Sequence, residues 1–174
     1  MSEVFRVAEL GDIPAIEGLV NRAYRGEEST KGWTTEEAFL GGQRIDQAML
    51  SDLIADPNVV IVCGTNEQSD IVCCSELRKT ESGGYLGMIC VEPGLQGKGT
   101  GKRLIRFSED YASRHWSVSK IQMWVISLRT ELIDFYNRHG YVTTDEVKPF
   151  PKGDEFGIHK VDNLELRVLE KSLA

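Results

Sequence analysis

A chain of 174 residues, 41% hydrophobic and 27% charged, has the composition of a soluble globular protein with a substantial core. Its formal net charge of −7 argues against a nucleic-acid binder held by backbone phosphates and mildly favours cationic partners. The start shows no basic-then-apolar leader and no apolar run reaches the length of a membrane span, so one cytoplasmic domain over residues 1–174 is expected, away from membranes and with a nuclear location still open. The four cysteines, Cys63, Cys73, Cys74 and Cys90, lie in apolar runs without the paired spacing of a zinc site, which suits buried free thiols and gives no reason to expect a metal.

In chain order, Val4 to Glu9 reads as a first strand. Asp12 can cap a helix that tolerates Pro14 in its first turn, and Ile13, Ile16, Leu19, Val20, Ala23 and Tyr24 recur at helical spacing up to Arg25-Gly26. Glu27 to Trp33 reads as a polar loop with one large aromatic residue. Thr34-Thr35-Glu36-Glu37 has the form of a capping box, which predicts a short helix. Gly41-Gly42 interrupts, and Asp46 to Ala55 forms a second helix with Ala48, Met49, Leu53 and Ile54 as inward positions.

Asp56-Pro57-Asn58 ends that helix. The β-branched run Val59 to Cys63 and the run Ile71 to Leu77 flank a polar turn and predict a hairpin. Glu81-Ser82-Gly83-Gly84 turns the chain into an apolar strand, Tyr85 to Val91. Val118 to Ile126 is a later strand, with Ile121, Met123 and Val125 alternating. Arg129 to His139 is a helix that Gly140 caps. Tyr141 to Thr144 starts a strand, Lys148 to Asp154 is a loop by its prolines and glycine, and Leu164 to Val168 alternates as a last strand. The order β-α-α-β-β-β-α-β-α-β-β predicts an α/β domain on a mixed sheet.

The chemistry concentrates between Tyr85 and Tyr111. Pro93-Gly94 stops the apolar strand, glycines follow at Gly97, Gly99 and Gly101, and Leu104, Phe107 and Tyr111 then keep helical spacing. A strand, a glycine turn and a helix start make an anion cradle, because the first N–H groups of a helix are unpaired and glycine lets the backbone come close. Lys98, Lys102 and Arg103 add positive charge. A dinucleotide turn, G-x-G-x-x-G, fails because Lys102 stands where its third glycine belongs. A P-loop, G-x-x-x-x-G-K-[ST], fails because Gln96 and Arg103 break it.

Gln96-x-x-Gly99-x-Gly101 resembles the acetyl-CoA pyrophosphate loop, Q/R-x-x-G-x-G/A, of the GCN5-related N-acetyltransferases, the GNAT superfamily. Tyr136 and Gly140-Tyr141 resemble the family's second signature, Y-x-x-x-G-[FY], at the family spacing, and the element order matches as well. The resemblance implies a mixed, mostly antiparallel sheet of about seven strands, helices on both faces and a splay between the fourth and fifth strands. It implies an N-acetyltransferase that moves an acetyl group from acetyl-CoA to a primary amine by direct attack, on a monomer or homodimer. A small-molecule amine is the first expectation; a protein lysine or N-terminus, or a non-catalytic acyl-CoA sensor, are the alternatives.

By the same resemblance, Ile89, Cys90 and Val91 pair with pantetheine through their backbone. Gln96, Gly97, Lys98, Gly99, Thr100, Gly101 and Lys102 hold the diphosphate, and Tyr136 protonates the leaving thiolate. Many members carry Asn where this chain has Arg129, so Arg129 either meets the cofactor or is a solvated helix residue. No glutamate base transfers from the family; Glu76, Glu92 or a water chain stay open for that task. Glu28 and Trp33 would shape the acceptor pocket after the first helix. Cys90 as an acetyl-carrying nucleophile is disfavoured, because no motif places a histidine to activate it.

Overall fold

The computed structural model describes residues 2–173. β1 (Val4–Val7) leads through a 3-10 turn at Leu10–Asp12 into α1 (Ile13–Tyr24), and a long connection holding β2 (Leu40–Gly41) reaches α2 (Gln47–Ala55). β3 (Val59–Thr65), β4 (Ile71–Thr80) and β5 (Gly83–Val91) form a meander. α3 (Thr100–Trp116), β6 (Lys120–Ile126), α4 (Thr130–Arg138), β7 (Val142–Pro149), β8 (Ile158–His159) and β9 (Glu165–Ser172) follow. Seven strands form one sheet in the order β1-β3-β4-β5-β6-β9-β7. Its pairs are antiparallel apart from β5 with β6. None of the described helices is long and apolar enough to cross a membrane.

Apolar spacing sets which face each helix covers. Ile13, Ile16, Leu19, Val20 and Ala23 of α1 pack with Leu50 of α2 against Cys63, Cys74, Met88 and Cys90. On the other face, Ile105 and Ala112 of α3 and Tyr136 of α4 pack on Leu77, Leu86, Ile121 and Met123. Asp46 caps α2 by accepting the Met49 N–H at 2.8 Å. Asp12 does not cap α1; its carboxylate is bound by Arg6 at 2.7 Å and accepts the Glu9 N–H.

Two features of β5 open the sheet. It meets β6 only at Gly84↔Ile121 and Tyr85↔Gln122, after which the strands part. The approach there needs glycine: a Cβ on Gly84 would stand 2.6 Å from the Ile121 side chain. Further along, Cys74↔Cys90 and Glu76↔Gly87 leave an extra residue on β5, a bulge in which Met88 takes φ +49°. The bulge breaks the period of two, so Leu86 faces α3 while Met88 and Cys90 face α1.

Other expectations change with tertiary contacts. Thr34 to Glu37 form turns rather than a helix, because Thr35 and Glu36 are drawn into contacts with α1 and Arg129. Met49, Leu53 and Ile54 pack on the core as expected, but Ala48 is exposed and Leu50, not expected inward, is fully buried. β7 continues through Lys148-Pro149, where a loop was expected, because its far end pairs with Glu165 and Leu166 of β9. β2 and β8 pair as a small second sheet that the sequence pattern did not announce.

Leu50→Ala should therefore cost about 2–5 kcal/mol in chemical denaturation. Ala48→Ser should stay within about 0.5 kcal/mol, as an exposed substitution does.

Candidate active site

The glycine turn becomes the start of α3. Gly97 and Gly99 hold φ +80° and +83°, the left-handed region that a Cβ disfavours. No side chain caps the helix, and its first turn closes with the Arg103 N–H on the Gly99 carbonyl at 3.1 Å. Among the described residues, the backbone N–H groups from Gln96 to Lys102 have no hydrogen-bond partner. A run of free amides at a helix start, with Lys102 beside it, is an electropositive concavity fitted to a diphosphate.

A cleft of about 360 Å³ runs from this turn along the open part of β5 to α4. Gly97, Gly99, Gly101 and Lys102 line one end, and Ile89, Cys90, Val91, Arg129 and Tyr136 the other. Trp33 also borders it, its ring 5.7 Å from that of Phe135 across the opening. Two β5 carbonyls accept from side chains here: Ile89 from the Tyr24 hydroxyl at 2.8 Å, and Val91 from Gln96 Nε2 at 3.1 Å. The Gln96 Oε1 accepts the Trp33 N–H at 3.0 Å, so this amide braces the loop over the strand.

A second cavity of about 230 Å³ lies on the far side of the splay. Tyr24, Ile89, Arg129, Leu132 and Tyr136 border both, which makes them the junction. Its frame is a buried ion cluster. Glu36 lies 3.3 Å from Arg25 and 3.3 Å from Arg129. Arg25 also donates to the carbonyls of Gln43 and Phe156, and Arg129 to the Thr34 hydroxyl. Burial drives the Arg25 pKa down, with Glu36 opposing. Arg129 Nε has no partner among the described residues.

Tyr136 is 5% exposed and makes no side-chain hydrogen bond among the described residues. Burial pushes its phenol well above the usual tyrosine value, so it stays protonated. Burial does the same for Tyr24.

The structure gathers most of the expected cofactor residues on the first cleft and moves others. Lys98 and Thr100 border a different hollow, beside Glu3, and the Thr100 hydroxyl donates to the Glu3 carboxylate at 2.6 Å. Arg103 is spent on the same carboxylate at 2.8 Å. Arg129 is not a solvated helix residue but a buried one. Trp33 borders the cleft of the glycine turn, not the second cavity, because its N–H is tied to Gln96. Glu28 borders neither.

Glu76 is held by Arg78 at 2.8 Å and Glu92 by Arg22 at 2.8 Å, and neither borders either cavity. The Cys90 Sγ lies 3.4 Å from that of Cys74 with no histidine beside it. Sequence reasoning missed Tyr24, Arg25, Glu36 and Arg44. Tyr24 read as a helical core position, Arg25 as the end of the first helix and Glu36 as part of a capping box, while Arg44 fell in the unassigned stretch after Gly41-Gly42.

Gly99→Ala should destabilise by about 1–2 kcal/mol through its backbone conformation. Gly101→Ala, whose Cβ would meet Val91 and Phe135 at 3.8 and 4.0 Å, should unfold at the wild-type temperature or above. Glu36→Gln strips the charge between two buried guanidinium groups and should cost about 3–5 kcal/mol in urea unfolding.

The comparisons with known proteins agree with this architecture. Solved structures similar over nearly the whole chain include the ribosomal-protein-S18-alanine N-acetyltransferase from Escherichia coli, with a TM-score of 0.73, 12% identity and coverage of 99% of this chain and 95% of that one. A spermidine N-acetyltransferase variant from Vibrio cholerae gives 0.71, 15%, 98% and 93%. An acetyltransferase of the GNAT family from Streptococcus pneumoniae gives 0.68, 14%, 99% and 100%. At these identities the likeness concerns the fold. No curated protein sequence matches. The family model described as "Acetyltransferase (GNAT) family" matches residues 16–141, which span α1 through Tyr141 and so both signature segments. The chain belongs to the GNAT acetyltransferase family.

Proposed function

We propose that this enzyme transfers the acetyl group of acetyl-CoA to a primary amine of a small molecule by direct attack. The observation that carries the reading is the junction: the cleft bordered by free helix-start amides meets a second cavity at Tyr136. The family's structural neighbours include enzymes for a spermidine amine and for a protein alanine, so the acceptor is open to argument. A hollow of about 230 Å³ suits a small acceptor better than a protein segment.

Acetyl-CoA would supply an activated thioester. The amides of Gln96 to Lys102 and the Lys102 ammonium hold its diphosphate, and the open edge of β5 from Ile89 to Val91 aligns the thioester arm. Positioning of this kind turns a bimolecular encounter into an effectively unimolecular step. In the step itself the amine nitrogen bonds to the acetyl carbon while the carbon–sulfur bond breaks. The sulfur takes the proton of the Tyr136 phenol, which the buried site keeps neutral between turnovers, and the phenolate regains a proton from water. The amine's own proton leaves through water, since Glu76 and Glu92 are both engaged by arginines. Buried free thiols suit the reducing cytoplasm expected for such an enzyme.

Thiol release from acetyl-CoA across a panel of amines tests the activity. Coenzyme A binding without release from any acceptor would leave a sensor instead. Tyr136→Phe should lower kcat on the order of 10²-fold. Coenzyme A affinity and the unfolding midpoint should stay put, since the hydroxyl has no partner to lose.

A further inference from the structure

Arg44 is the charged group in the second cavity that the fold does not use. Its backbone is pinned: Asn21 of α1 accepts the N–H groups of Arg44 and Ile45 at 2.6 and 3.1 Å and donates to the Ile45 carbonyl at 2.9 Å. Its side chain borders the cavity and lies 5.3 Å above the Tyr24 ring. Among the described residues the guanidinium makes neither a hydrogen bond nor an ion pair. Burial works against its charge, yet Tyr24, Glu36 and Glu76 outweigh that and keep it firmly protonated. Arg25 and Arg129 differ, being joined to Glu36 and to oxygen acceptors.

Charge in this cavity is therefore lopsided. Three arginines, Arg25, Arg44 and Arg129, face one carboxylate, Glu36. A half-buried guanidinium with no hydrogen bond or ion pair of its own among the described residues is a ready partner for an anion. The planar fork of arginine matches a carboxylate with two parallel hydrogen bonds. The remaining wall is apolar and aromatic, with Met49, Tyr85, Trp124, Phe150 and Phe156. A polycation would meet repulsion there, whatever the charge averaged over the surface.

We propose that the acceptor is an amino acid with an apolar or aromatic side chain, its carboxylate bound by Arg44 and its amine directed to the Ile89–Tyr136 junction. This rests on the acetyl-transfer reading above. The same positive field disfavours the ammonium form of the substrate, which eases loss of its proton where no free carboxylate stands by. The products are the N-acetyl amino acid and coenzyme A.

The test compares natural amino acids with their decarboxylated partners, phenylalanine with phenethylamine, tryptophan with tryptamine and leucine with isoamylamine, alongside spermidine. Thiol release from acetyl-CoA gives kcat/KM for each. We expect at least one apolar amino acid to exceed its decarboxylated partner by on the order of 10²-fold, as expected for one charge-assisted contact. Arg44→Met should erase that preference mainly through KM, and Arg44→Lys should restore part of it. Coenzyme A should stabilise all three proteins to heat alike, which shows that the variants fold and bind the donor.

Equal use of both members of every pair, or a preference for spermidine, overturns the inference and leaves acetyl transfer standing. Turnover of none of these acceptors, with coenzyme A bound, also overturns it. Loss of coenzyme A stabilisation in the wild-type protein would instead sink the acetyl-transfer reading itself.

Discussion

Everything at the site depends on two neighbouring strands that pair briefly and then separate. β5 and β6 touch at Gly84 and Tyr85, and beyond that point β5 loses a partner on one edge. An unpaired edge in the middle of a sheet costs free energy unless something else satisfies it. Here Tyr24 and Gln96 reach two of its carbonyls. The bulge at Met88 adds a left-handed residue without glycine, a strain of about 1–2 kcal/mol that the packed cores on both faces hold in place. Strain kept at such a point is consistent with a gap that chemistry uses.

The gap is held open by charge as well as backbone. Glu36, on the connection between α1 and α2, binds Arg25 at the end of α1 and Arg129 at the start of α4. These elements stand on opposite faces of the sheet, so one carboxylate ties the two rims of the splay together. The arrangement leaves a guanidinium Nε unpaired at the junction and a second arginine, Arg44, facing the cavity. Most of the cluster's charge is thus spent on the fold, and Arg44 is the arginine among its three that makes no ion pair among the described residues.

The parts legible in the sequence were those with local signatures. Alternate glycines after an apolar strand announce a helix-start cradle, and Tyr136 with Gly140 announces the end of α4. The succession of the seven main strands along the chain followed from their apolar runs and turns, while their order in the sheet did not. The cluster around Glu36 had no such signature: Arg129 is distant in the chain from Arg25 and Glu36, and Thr34 to Glu37 imitate a capping box in which Glu37 instead accepts from the Gly26 N–H and Lys160 while Glu36 joins the two arginines. Ala48 and Leu50 show the same limit on a smaller scale, since several apolar residues in a short helix leave its inward face undetermined.

Glu3 has a practical meaning for anyone handling the protein. By gripping Thr100 and Arg103 it moors the start of the first strand to the glycine turn that opens α3. The last strand finishes elsewhere, with Ser172 beside Lys120 at the closed end of the sheet. An affinity handle fused ahead of Glu3 would lie against the hollow beside Lys98, Thr100 and Arg103 and pull on the start of α3, whereas one fused behind β9 would leave that contact alone.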